Sequence, residues 1–382
     1  MSFDIAKEFP WADEGVVYLN AAATGPHPAR TVVELERWIK LRERPWEIAL
    51  DEQFAVLAKS RRLSAGLIGA DDSEIALTPN TSTGLNIAAQ ILPIERGKVI
   101  LGYDGEFPAN VYPWMAIDRR TAGTARYEQL GLLPNGLPDW DALPARLDRG
   151  DVGVLAISWV SFVSGDRADL ETIGPMCRER GIRFVVDAIQ GVGTTPLDVH
   201  KCRIDILSCG AQKWLLSPWG SGFCYIRHDL VQNLEPRTIG WLAMHGSEDF
   251  SNMLDYKLNY AEDARRFEVA TIPYQDMAGM NASLELFGEI GLDVVSSKIH
   301  SLAGRLVAGI AAIKTLSLVT PVDPNRRAGI VSFNVENVEA VSKRLNDGGV
   351  SHSVRGGGVI RVAPHIYNTE QQIDRVLALL DG

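Results

Sequence analysis

Residues 184–214 read "FVVDAIQGVGTTPLDVHKCRIDILSCGAQKW", and this stretch decides the fold. "IRFVVDAI" (182–189) and "DILSCG" (205–210) are short, apolar and rich in β-branched residues, as strands buried on both faces are. The first ends near Asp187. The second runs into Lys213, which stands before Trp214 and "SPWGSGFCYIR", a turn and a further buried strand. A lysine in that setting either snorkels its ammonium out to water or has a partner to react with.

The same alternation extends outward from about residue 64 to 227. Strands are predicted at "EIALTP" (74–79), "KVILGY" (98–103), "VGVLAISWV" (152–160) and "SGFCYIR" (221–227). Between them lie amphipathic stretches such as "STGLNIAAQIL" and "LETIGPMCRERG", the latter ending in a basic turn and a glycine. Strand–helix alternation predicts an α/β sheet with helices on both faces. Residues 132–147 carry Pro and Asn-Gly turn signals and read as a loop. After 275 a long helical stretch with a break near Gly291 leads into strand, helix, strand, helix, a second and smaller α+β unit. The expected division is an N-terminal arm (1–20), a large domain (21–260) and a small C-terminal domain with its linking helix (261–382).

The 382 residues carry a formal charge of −10, with 46% hydrophobic and 23% charged residues, the composition of an ordinary globular protein. That balance, and the lack of any basic run, point away from nucleic acid and anionic membranes as partners. No apolar run reaches the ~18–20 residues a membrane span needs. The N-terminal "MSFDIAKEFPWADEG" has no secretory pattern. Cys177, Cys202, Cys209 and Cys224 are too widely spaced for paired zinc ligands, so they read as buried thiols of a cytoplasmic protein.

Ligands of open α/β sheets bind beyond the carboxyl ends of the strands. Asp187 ends such a strand and needs a donor partner, or else caps the following helix. Gln190, three residues on, is either a capping-box partner or a ligand donor. "NTSTGLN" (80–86) opens a helix, and the hydroxyls of Thr81, Ser82 and Thr83 with their amides form either an ordinary cap or a phosphate cradle. Phe107 and Trp159 lie just past strand ends. "GVGTTP" (191–196) lacks the third glycine of a dinucleotide fingerprint, and "RGGGVIR" (355–361) reads as a flexible turn or a loose hairpin.

Taken together, a Thr/Ser loop, an aromatic after the next strand, an Asp-x-x-Gln, and a lysine 26 residues beyond the Asp form one pattern. It resembles the class V aminotransferase family of pyridoxal-phosphate enzymes, fold type I, from "VYLNAAATGPHP" (17–28) to "RVAPHIYNT" (361–369). That family includes cysteine desulfurases, isopenicillin-N-epimerase-like proteins and kynureninases. The resemblance implies a large domain with a mostly parallel seven-stranded sheet. It implies that Lys213 forms a Schiff base with pyridoxal phosphate, that Asp187 bonds the pyridine nitrogen, and that Gln190 donates to the phenolate oxygen. Thr81, Ser82 and Gln212 would hold the phosphate and Phe107 would stack on the ring. Arg361 would grip the substrate carboxylate. Thr271, in "RFEVATIP", would reach the phosphate of a neighbouring subunit, making a homodimer with shared active sites. Tyr367, Asn368 and Thr369 would serve as turn and helix cap.

The sequence departs from the desulfurases in places. "GGVSHSVRGGGVIR" (348–361) holds no cysteine, Phe107 stands where a histidine is usual, and Gln212 precedes the lysine. Ser161 or Phe162 replaces a family asparagine. Trp159, Trp214, Trp219 and Trp241 line an apolar substrate site or belong to the core. The leading expectation is transamination of a small or apolar α-amino acid. The alternatives are a C–S or β-elimination lyase, an epimerase, and a non-catalytic binding protein of this fold.

Overall fold

The structure, a computed structural model, describes residues 4–382. Its larger sheet has seven strands: β1 (Ile75–Leu77), β2 (Val99–Tyr103), β3 (Arg126–Leu130), β4 (Val152–Ser158), β5 (Arg183–Asp187), β6 (Ile206–Gly210) and β7 (Gly222–Ile226). They lie in the order β1-β7-β6-β5-β4-β2-β3. All neighbours are parallel except β7, which is antiparallel to both β6 and β1. The apolar runs of β2, β6 and β7 are buried throughout because helices cover both faces. The expected mostly parallel seven-stranded α/β sheet is therefore present.

β3 is the strand that the apolar pattern does not predict. Its "RYEQL" sits at the sheet edge with residues 126–129 partly or fully exposed, so it carries no continuous apolar signal. The stretch 132–147 is loop only in its first half and then forms the short helix Leu143–Leu147.

Helices α1 (Ala29–Glu43) and α2 (Leu50–Ile68) pack against α5 (Tyr274–Ile290), with Thr31 Oγ1 2.7 Å from Ser283 Oγ and Ser60 Oγ donating to Asn281 Oδ1 at 2.8 Å. α3 (Thr81–Ile91) follows β1 and is capped by Asn80, whose Oδ1 accepts from Thr83 N at 3.0 Å. Gly84 lets α3 lie flat on β6, since a Cβ there would come within 2.2 Å of Ser208 Oγ. α4 (Leu170–Glu179) stops before Gly181 at φ +67°, as its terminal signals predict.

The helical stretch after 274 breaks at Gly291, φ +89°, into α5 and α6 (Leu292–Ala312). A second, antiparallel sheet follows, made of β8 (Leu316–Leu318), β9 (Val331–Val335), β10 (Ser353–Arg355) and β11 (Val359–Val362) in the order β10-β11-β9-β8. It packs with α6, α7 (Val338–Asp347) and α8 (Glu370–Asp381) around Leu302, Leu306, Phe333, Leu345, Ile360 and Val376. The chain start joins the two sheets. Val17–Tyr18 pairs in parallel with Val350–Ser351, Asn20 bridges to Ala363, and Gly25 N donates to Gln212 O at 2.8 Å. Thr369 caps α8 in a capping box with Gln372, and Asn368 Nδ2 donates to Tyr18 O at 3.2 Å. Among the described residues no helix is long and apolar enough to cross a membrane.

One buried ion pair secures β1, and with it the start of α3. Glu268, 1% exposed, accepts from Arg61 Nε and Nη2 at 2.9 and 2.6 Å and from Leu77 N at 2.9 Å. Replacing Glu268 by Ala leaves Arg61 and the Leu77 amide without that partner. The expected cost is about 3–5 kcal/mol, read as a lower denaturation midpoint in urea.

Candidate active site

The carboxyl ends of β4, β5 and β6 converge with the loop after β2, where the chain order of the sheet reverses between β2 and β4. Lys213 lies three residues past β6. Among the described residues its amine has no hydrogen bond or ion pair. Its Nζ stands 5.7 Å from the centroid of the Phe107 ring. Burial lowers its ammonium to about 8; Asp187 opposes that shift, and Arg361 and Arg355 add to it.

Asp187 ends β5 and is 2% exposed. Burial raises its carboxyl to about 6, against the opposing hydrogen bond from Ile189 N (3.1 Å) and the Lys213 charge. That local bond resembles the cap foreseen for Asp187, yet the residues after it form a turn rather than a helix.

The start of α3 is locked to the end of β6. Thr81 Oγ1 accepts from Gly210 N at 2.8 Å, and Ser208 Oγ donates to Thr81 O at 2.8 Å. A Cβ on Gly210 would approach Gln212 Oε1 to 2.5 Å and Thr81 Oγ1 to 3.1 Å, so the missing side chain keeps a recess open between Thr81 and Gln212. Ser82, the next residue of the helix start, is exposed. Gln190 is buried in the turn that follows β5. Its Oε1 accepts from Trp214 Nε1 at 2.7 Å and its Nε2 donates to Ala22 O at 3.1 Å, which leaves one amide proton for another acceptor.

Arg361 comes from the second sheet. It is 1% exposed and its Nη1 donates to Phe162 O at 2.8 Å, while its Nε and Nη2 are buried without protein partners. Burial lowers its guanidinium to about 9, with Arg355 adding to the effect. Phe162 and not Ser161 turns toward the site. Its ring meets Phe107 edge to face at 5.1 Å, whereas Ser161 Oγ accepts from Val163 N and Ser164 N in its own turn.

The structure thus brings Lys213, Asp187, Phe107 and Arg361 together, with Thr81 and Gln212 linked to them through Gly210. It does not bring Thr271 there. That side chain is exposed and shares a groove of about 310 Å³ with Thr83 and Asn86 on the flank of α3. Trp159 and Trp214 belong to the core, whereas Trp219 and Trp241 are exposed.

Two residues escaped the sequence reading. Arg355 has a buried Nε without a partner and lies on β10, which faces β11 in a hairpin turned by Gly356–Gly358. Ser353 pairs with Arg361 and Arg355 with Val359, so the two-residue period puts both arginines on one face. The arginine at each end of "RGGGVIR" was the available signal. Glu106 precedes Phe107 and is buried against Ser158; a lone acid in a loop gives no such signal.

The sequence profile of the family described as Aminotransferase class-V matches residues 17–376, and the chain belongs to that family. It is 26% identical to a probable cysteine desulfurase of Pyrococcus abyssi, across 99% of this chain and 96% of that protein. It is 25% identical to the isopenicillin N epimerase of Streptomyces clavuligerus, across 97% and 95%. The solved complex of the cystine C–S lyase C-DES with its product cysteine persulfide superposes with a TM-score of 0.87 at 25% identity, covering 98% of this chain and 99% of that one.

The fold is fold type I, and the family's cofactor is pyridoxal phosphate. The residues present fit that group. The site offers an unpaired amine, a buried carboxyl, an aromatic face, a helix start beside the recess at Gly210, and a guanidinium with two free donor positions.

Gly25 presses on the lysine's backbone, since a Cβ there would come 2.1 Å from Lys213 O. Gly25→Ala is expected to displace Lys213 and cost about 1–3 kcal/mol. Purified protein should contain less cofactor than wild type, measured as cofactor released by alkali per chain.

Proposed function

We propose that this chain is a pyridoxal-phosphate-dependent lyase that breaks a C–S bond in a cysteine- or cystine-like amino acid and releases the sulfur product directly. The observation that carries the reading is the β10–β11 hairpin. Two arginines face the lysine from it, and its turn is three glycines, with no thiol to take up sulfur. The names of the relatives, cysteine desulfurase and cystine C–S lyase, favour C–S chemistry over the transamination expected from sequence.

When bound, the cofactor supplies an aldehyde for the substrate amine and a cationic ring that takes up the electron pair released at Cα. Lys213 holds the cofactor and then carries the Cα proton; its desolvated amine is poised near neutrality for that task. Asp187 keeps a proton at the ring nitrogen. Gln190 offers its remaining amide proton to the phenolate oxygen. Thr81, Ser82 and Gln212 hold the phosphate at the α3 start, where amides and helix dipole favour an anion. Phe107 stacks on the ring. Arg361 takes the substrate carboxylate on its two free donors, and Arg355 beside it favours substrates with a second anionic group.

The exposed Thr271 supports a homodimer in which it completes the neighbouring subunit's phosphate site. The four unpaired cysteines support a reducing, cytoplasmic setting.

The deciding experiment supplies cystine and a panel of other amino acids to the holoenzyme and analyses the products. Pyruvate and ammonia appearing together with a persulfide or sulfide would establish the lyase. A keto acid that keeps its side chain would make it an aminotransferase, and deuterium exchange with inversion at Cα an epimerase. Lys213→Ala should fold but carry no cofactor after borohydride reduction, checked by mass spectrometry. Capture of cofactor by the apoprotein requires neutral Lys213, so its rate should rise as pH passes through about 8 and level off above it.

A further inference from the structure

The loop after β2 places a second carboxyl group beside Asp187. Glu106 follows Gly105, whose φ is +84°, and precedes Phe107. It is 7% exposed, and its carboxyl straddles one residue: Oε1 accepts from Ser158 N at 2.5 Å and Oε2 lies 2.5 Å from Ser158 Oγ. Ser158 is the last residue of β4 and the register partner of Asp187 on β5. One side chain therefore fastens the loop that carries Phe107 to the strand end beside Asp187.

We propose that Glu106 is a positioning residue: clamped across Ser158 at the strand end beside Asp187, it fixes the loop that presents Phe107 to Lys213. This rests on the reading of Lys213 and Phe107 given above. The titratable groups facing Glu106 are Asp187 from β5, Tyr103 from β2 and Tyr127 from β3. Among the described residues no cation pairs with it. Burial, aided by the Asp187 charge, raises its carboxyl to about 8 against the opposing Ser158 hydrogen bonds. At neutral pH the group is mostly protonated, which spares the site a second buried anion and leaves Asp187 as the negative partner of Lys213.

The geometry also explains why an acid stands here. A carboxyl group accepts from the Ser158 amide on one oxygen and from the Ser158 hydroxyl on the other, so both contacts are met by one planar group. Glutamine keeps the shape and neutrality; alanine keeps neither contact.

The test uses the holoenzyme as wild type, Glu106→Gln, Glu106→Ala and Ser158→Ala. The unfolded chain loses the Glu106 proton near the ordinary glutamate value, whereas the folded chain keeps it to about 8. Wild type therefore loses stability across that window as pH rises, and Glu106→Gln does not. The melting temperature of Glu106→Gln relative to wild type should climb from pH 5 to 8 and then level off. Parallel curves would overturn the protonated acid.

Glu106→Ala should release cofactor about tenfold faster than wild type, the equivalent of one lost buried hydrogen bond, with Glu106→Gln restoring most of the difference. Release at the wild-type rate from Glu106→Ala would overturn the positioning role. If that variant does not fold, Ser158→Ala removes half of the clamp and is read in the same way. A wild type that captures no cofactor would sink the proposed function, while the melting comparison would still decide the protonation of Glu106.

Discussion

Desolvation of charge is the constraint around which this site is arranged. For Lys213, Asp187 and Arg361 alike, burial is the largest influence on the proton equilibrium, and it disfavours the charged form each time. Such groups weaken a fold that keeps them dry, so the surrounding structure must hold them by other means. The folded chain does this with backbone. Strand ends, a helix start and a hairpin each deliver one group to a common point, and none depends on the charges for its own geometry.

The sheet supplies the first part of that framework. β5 and β6 bring Asp187 and Lys213 to the same edge, and Gly84 and Gly210 allow α3 to close over β6 with no side chain between them. The second sheet supplies the arginines. The chain start links the two, pairing with Val350–Ser351 at one end and pressing Gly25 onto the Lys213 backbone at the other. Position at the site is thus set by hydrogen-bonded backbone from both sheets.

Much of this was legible in the sequence, and for a physical reason. Asp187 and Lys213 interrupt runs of apolar residues, and a charge in such a place has few explanations. β2, β4, β5, β6 and β7 announced themselves because burial on both faces demands continuous hydrophobicity. β3 did not, being an edge strand with polar residues outward. The commitments of Gln190 could not be read either, since its partners Ala22 and Trp214 meet it only through the tertiary fold. Glu106 was hidden for a similar reason: nothing in "DGEFP" tells that its carboxyl turns inward to Ser158. Arg355 was visible in retrospect, because hairpin alternation fixes its face once Gly356–Gly358 are read as the turn.

The four cysteines have a bearing on how this protein meets its surroundings. Each is buried, and burial raises every thiol well above the usual cysteine range, so none offers a thiolate to solvent. The turn between β10 and β11 is glycine, with no side chain to be alkylated or oxidised. Thiol-blocking reagents therefore meet no exposed cysteine on the folded chain.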